Sequence, residues 1–163
     1  MLTRPEARRL DGARLLAVLV PNALLWGAIG FQHFGGLVPC EMCMWQRWPH
    51  VAAILLALVA ILLRGAPGPS RAVTALAAAA ILVSGGIGVY HAGVEYHWWS
   101  GFTACTAPLT SGSGKDIIAQ ILAAPIERCD TPQWTFHGVS LAGFNAILSL
   151  GFGGLILWLL RRT

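Results

Sequence analysis

Residues 141–160 read LAGFNAILSLGFGGLILWLL, twenty consecutive residues without a charge. At 1.5 Å per residue a helix of that length covers about 30 Å, the thickness of the hydrocarbon layer of a bilayer. Three further apolar runs precede it: Leu15 to Phe31, Val51 to Leu63 with a Trp- and Met-containing lead-in from Met44, and Ala72 to Tyr90. None shows the solvated stripe that each helix of a soluble bundle needs. The composition agrees, with 56% of the 163 residues hydrophobic and 11% charged, against roughly 25% charged in an ordinary soluble domain. The expected fold is an all-α membrane protein, a four-transmembrane-helix bundle forming a single domain over residues 1–163. The spans are expected at about 14–33, 44–63, 72–90 and 141–160.

Charge orients the bundle. Arg4, Arg8, Arg9 and Arg14 precede the first run, Arg64 and Arg71 lie in the second connection, and Arg161 and Arg162 close the chain, eight of the eleven basic residues. The positive-inside rule places that side in the cytoplasm, with both termini. The net charge of +4 therefore reflects helix ends facing a membrane surface. It forms no basic stripe interleaved with aromatics, so no nucleic-acid partner is expected. The connections at about 34–43 and 91–140 fall outside, and they hold all four cysteines. The first run is too long for the apolar core of a signal peptide, and Pro39 stands where a cleavable site wants a small residue, so it reads as a retained helix. Pro21 and Asn22 within it read as a tolerated kink.

Cys40 and Cys43 form a C-x-x-C in VPCEMCMWQR, immediately before the second span, whereas Cys105 and Cys129 lie apart in the long outer loop. A zinc site prefers a second closely spaced pair, which the latter two do not supply, and no metal is expected. Four thiols in an oxidising compartment suggest two disulfides, structural or redox-active. A C-x-x-C closes too small a ring to stabilise a fold much. Moreover, Cys43 falls near a helix N-terminus, where free N–H groups and the dipole favour a thiolate, with Arg47 one turn further on. A redox role is therefore expected, and Arg47, beside that thiolate at the lipid boundary, suits polarising a quinone carbonyl.

The segments around Cys105 and Cys129 are rich in Gly, Pro, Ser and Thr, so a disulfide there is open to a partner's thiolate. Between them Ser113 and Asp116 read as a capping box. Ile117, Ile118, Ile121 and Leu122 then share one helical face, and Pro125 ends the helix. With an apolar face and no core beneath it, this short amphipathic helix is expected to lie parallel to the membrane on its outer surface.

The string FQHFGGLVPCEMCMWQR at residues 31–47, the arginine after the C-x-x-C, and the distant cysteine pair in the second outer loop resemble the bacterial disulfide bond formation protein B (DsbB) family over nearly the whole chain. The resemblance implies a quinone-dependent thiol oxidase, multi-pass in the bacterial inner membrane with its cysteines periplasmic. It implies that Cys105 and Cys129 form the disulfide that oxidises a periplasmic thioredoxin-fold protein of the DsbA type. Cys105 matches the position of the mixed disulfide, and Cys129 then exchanges with Cys40. Cys43 matches the quinone-proximal position, Arg47 the arginine that supports binding of ubiquinone or menaquinone, and His91 a histidine near the quinone. Oxidising a partner near about −120 mV is downhill only toward an acceptor of higher potential, which the membrane quinone pool provides.

Other residues carry less. Trp45, Trp48, Trp98, Trp99 and Trp134 suit stacking on a quinone and equally an aromatic belt. Gln32, His33, Gln46 and His50 are polar candidates, and Glu95 and Tyr96 have no account from sequence. A vitamin K epoxide reductase-like protein would carry its quinone-facing C-x-x-C on a late helix, unlike this chain. Haem ligation requires histidines facing one another inside the bundle, whereas all five here read as lying at or beyond the outer span ends. A membrane subunit held by purely structural disulfides is the remaining alternative.

Overall fold

A computed structural model describes residues 3–103, 115, 118, 122 and 128–162. Four antiparallel helices make up the body: α1 (Arg4–Phe34), α2 (Glu41–Leu62), α3 (Pro67–Glu95) and α4 (Leu141–Arg161). All four are long and apolar enough to cross a membrane, with mean hydropathy between 1.4 and 2.1 in their most apolar windows. Their outer faces present Leu19, Trp26, Leu55, Leu76 and Ile147, a surface that water would penalise and lipid would not.

The interior is built from small residues. Ala13 and Ala17 of α1, Ala53 and Ala57 of α2, and Ala77 and Ala78 of α3 are fully buried. Without a hydrophobic drive between helices in lipid, close backbone approach at such positions supplies the packing. Gly88 shows how close that is, since a Cβ there would stand 3.0 Å from both Ala142 O and Ala146 N of α4. α3 packs extensively on α2 and α4, whereas α1 lies more loosely against them.

Both helix-terminal regions are tied by polar groups. At the end carrying the termini, Thr3 N and Oγ1 donate to Glu6 Oε2 at 2.7 and 2.9 Å, capping α1. Buried Arg14 donates to Ser70 Oγ at 2.9 Å, and Ser70 Oγ donates to Ala60 O at 2.6 Å, which joins α1, α3 and α2. Inside α1, Asn22 Nδ2 donates to Val18 O at 2.8 Å, just after Pro21.

At the opposite end a hairpin, β1 (Thr135–Phe136) and β2 (Val139–Ser140), leads into α4. Its two turn residues, His137 and Gly138, both have positive φ, 49° and 78°, as a two-residue type I′ turn requires. Tyr96 Oη donates to Gly138 O at 2.7 Å and accepts from Ser140 N at 2.8 Å, clamping the hairpin to the end of α3.

The helices extend beyond the expected apolar spans, α1 and α3 most. α3 runs to Glu95, so His91 to Glu95, read from sequence as loop, are helical. Hydropathy falls off before the helix ends because the last turns carry polar side chains that face inward, where Val94 and Glu95 are buried. The same inward turning corrects the placing of the histidines, since His50 and His91 are both buried within the bundle. The stretch expected to form the surface helix lies outside the described residues, apart from Lys115, Ile118 and Leu122, which are helical and exposed.

Candidate functional site

The site begins with how α2 starts. Cys40, in extended conformation after Pro39, is its N-cap residue, and Cys40 Sγ accepts the backbone N–H of Cys43 at 3.3 Å. An N-cap side chain reaches the N–H three residues on, so the C-x-x-C spacing also brings the two sulfurs together, 2.8 Å apart. Both are free thiols. The hydrogen bond to Cys43, together with burial, pushes the Cys40 thiol up. Cys40 therefore keeps its proton and donates it toward Cys43, whose sulfur sits in the first turn of α2, where the helix dipole favours negative charge.

Cys129 approaches from the other side. It is fully buried and disulfide-bonded. The ligating atoms of Cys40, His91 and Cys129 all lie within 4.8 Å of one another. With Cys129 in a disulfide, the trio brings a free thiol, a disulfide sulfur and an imidazole nitrogen together. Beside Cys129, Arg128 Nε donates to Asp130 Oδ1 at 2.8 Å, and Gln133 Nε2 donates to Val38 O at 2.8 Å, which docks this segment against the chain leading to Cys40.

A buried polar network lies beneath the cysteines, and backbone carbonyls fix its polarity. Gln46 Nε2 donates to Met42 O at 3.3 Å, so its amino end also donates to His91 Nδ1 at 2.8 Å. His91 therefore carries its hydrogen on Nε2, which lies 3.6 Å from Cys40 Sγ and 3.7 Å from Glu95 Oε1. Asn145 Nδ2 donates to Ser84 O at 3.1 Å and to Gln46 Oε1 at 2.7 Å. Its Oδ1 accepts from Ser149 Oγ and faces His50 Nε2, each at 2.9 Å. The chain of bonds joins α2, α3 and α4.

These groups wall a cavity of about 320 Å³ between the helices, lined by Cys43, Arg47, Gln46, His50, His91 and Glu95 on its polar side and by Leu24, Phe31, Phe144 and Leu148 among its apolar residues. Arg47 spans its mouth toward α1, donating to Gln32 Oε1 at 2.7 Å and to Ala28 O at 3.3 Å. Trp134 also borders the cavity and lies against Phe31, ring centroids 5.0 Å apart. Two buried polar atoms, Glu95 Oε2 and His50 Nδ1, have no hydrogen-bond partner among the described residues.

Of the six site residues read from sequence, Cys40, Cys43, Arg47, His91 and Cys129 thus converge, and Cys105 lies outside the described residues. Sequence reading gave Gln46 and His50 no support and Glu95 no account, and it passed over Ser84 and Asn145. Polar residues inside apolar runs were the available signal, because lipid admits them only where another group meets them. Tyr96, also without an account, is the hairpin clamp. Trp98 and Trp99 meet edge to face at the loop end, with Trp99 Nε1 donating to Tyr90 O at 3.0 Å.

Comparison with known proteins points to one family. A relative from Aromatoleum aromaticum, named disulfide bond formation protein B, is 32% identical, with 77% of this chain and 79% of the relative covered. Proteins of the same name from Polaromonas naphthalenivorans and Acinetobacter baylyi are 29% and 32% identical, covering 94% and 95% of this chain and 94% and 92% of their own. No solved structure matches the chain. The family described as disulfide bond formation protein DsbB matches residues 9–159, and with four apolar helices and a C-x-x-C at the head of the second, the chain belongs to that family.

Proposed function

We propose that this protein is a membrane thiol oxidase that reoxidises a thioredoxin-fold dithiol protein of the DsbA type and delivers the two electrons to ubiquinone or menaquinone. The observation that carries this reading is the position of Cys40. Its sulfur lies 2.8 Å from that of Cys43 and within 4.8 Å of that of Cys129, in the wall of the cavity that Arg47 borders. The concentration of arginines at the end carrying the termini supports placing that end in the cytoplasm and the cysteines in the periplasm of an inner membrane.

The cavity suits a quinone ring. Its volume falls within the roughly 300–1,000 Å³ of small-ligand sites, and its walls are mostly apolar. Arg47 would hold a ring oxygen and Cys43 would face the ring. When bound, the quinone supplies an acceptor for two electrons and two protons.

The chain's own steps are exchange reactions. The partner's thiolate attacks the disulfide that Cys129 forms with Cys105, and its second thiol resolves the mixed disulfide, leaving two loop thiols. The Cys129 thiolate then attacks Cys40 of an oxidised Cys40–Cys43 pair and expels Cys43 as thiolate. Cys105 attacks Cys129 in turn, which restores the loop disulfide and leaves both electrons on Cys40 and Cys43. His91 Nε2, 3.6 Å from Cys40 Sγ and 3.7 Å from Glu95 Oε1, is near enough to stabilise negative charge on that sulfur as the proton leaves. Loss of two electrons and two protons to the acceptor re-forms the Cys40–Cys43 bond.

The test mixes the detergent-solubilised protein with a reduced thioredoxin-fold partner and a soluble ubiquinone analogue and follows quinone absorbance. Partner-dependent reduction that vanishes in Cys43→Ser is expected. Folded protein that reduces no quinone would make the disulfides structural.

A further inference from the structure

His50 is held by a network that fixes where its hydrogen sits. Ser84 Oγ lies 2.9 Å from His50 Nε2 and donates its own hydrogen to Gln46 O at 2.8 Å, so toward the imidazole it only accepts. The second neighbour of Nε2 is Asn145 Oδ1, at 2.9 Å, also an acceptor because the amino end of Asn145 is committed to Ser84 O. The ring hydrogen is therefore on Nε2, and Nδ1 presents a bare lone pair. That atom is buried without a partner among the described residues, on a side chain 3% exposed that lines the cavity.

A lone pair in that position discriminates between the two redox forms of a quinone. An oxidised ring offers only hydrogen-bond acceptors, which leave Nδ1 unsatisfied, whereas the two-electron-reduced ring carries hydroxyls, either of which can donate to it. We infer that His50 is a positioning residue whose Nδ1 accepts a hydroxyl hydrogen of the hydroquinone, so that the cavity binds the reduced ring more tightly than the oxidised one. This rests on the cavity being the quinone site. Its consequence is thermodynamic: tighter binding of the product raises the potential of the bound acceptor, by about 30 mV for each tenfold preference in a two-electron couple. The neighbouring Arg47, a pure donor, favours a ring oxygen that accepts, while Glu95, whose Oε2 is also without a partner among the described residues, lines the same cavity.

Two substitutions separate the two nitrogens of His50. His50→Gln keeps a donor for Asn145 and Ser84 and removes the acceptor at Nδ1, while His50→Asn places an amide oxygen near Nδ1 and gives up the deeper donor. Binding of a short-chain ubiquinone analogue is measured anaerobically in quinone-stripped protein, oxidised and reduced in parallel, by quenching of tryptophan fluorescence. The wild type is expected to prefer the reduced analogue about tenfold, as satisfying one buried acceptor implies. In His50→Gln the two affinities become equal, with oxidised-form binding unchanged, and His50→Asn restores part of the preference. A wild type that binds both forms equally, or a preference that survives in His50→Gln, overturns the inference, as does a preference for the oxidised form. Binding of neither form by folded wild-type protein instead overturns the assignment of the cavity itself.

Discussion

Asn145 is the junction of the buried network, and replacing it with leucine tests whether that network holds the bundle together. Its amino group meets Gln46 Oε1, Ser84 O and Ser84 Oγ, and its oxygen meets His50 Nε2 and Ser149 Oγ. In Asn145→Leu, His50 Nε2 keeps Ser84 Oγ, and Ser149 can turn to a carbonyl of its own helix. Gln46 Oε1 is left without a donor. An orphaned buried acceptor costs about 1–3 kcal/mol, and interhelical polar pairs in membranes average about 0.6 kcal/mol. The expected loss is thus about 2–3 kcal/mol, read from reversible unfolding in mixed detergent micelles by tryptophan fluorescence. The variant also frees Gln46 to reorient, so nitrogen NMR should show His91 losing its uniform Nε2–H tautomer. A stability change below about 0.5 kcal/mol, within the range of ordinary surface substitutions, together with an unaltered His91 signal, would refute the network as drawn.

Gly88→Val drives side-chain carbon into the α4 backbone and should cost at least about 2 kcal/mol or prevent assembly, whereas Gly86→Ala, with open space around it, should leave thermal unfolding unchanged or slightly raised. Tyr96→Phe removes both hydrogen bonds that clamp the hairpin, so hydrogen exchange at the Ser140 amide should rise by one to two orders of magnitude, matching about 1–3 kcal/mol of local opening. The raised Cys40 thiol stays protonated through neutral and mildly alkaline pH and begins to ionise only above the usual thiol range. Brief alkylation between about pH 7 and 9 should therefore modify Cys43 in large excess over Cys40, as peptide mass mapping will report, since only the thiolate reacts.

The sequence by itself determined the four spans, the clustering of arginines at one end, and the C-x-x-C at the head of the second helix. Each is a local property: hydropathy over about twenty residues, charge beside a span, and spacing within one helical turn. What it left undecided is which polar residues meet. Lipid removes the polar outer stripe that reveals how a soluble helix is turned, so Gln46, His50, Ser84 and Asn145 appear in the sequence as isolated interruptions of apolar runs. Only the packing of α2, α3 and α4 turns them toward one another. Close contact at small residues such as Gly88 sets that rotation, and it depends on the partner helix. The end of α3 was hidden for the same reason, because Glu95 reads as loop until the cavity it faces exists. Cys129 and Cys40, 89 residues apart in the chain, are neighbours only through the docking of a loop segment on the mouth of the bundle. That proximity, which makes exchange possible, is a tertiary fact.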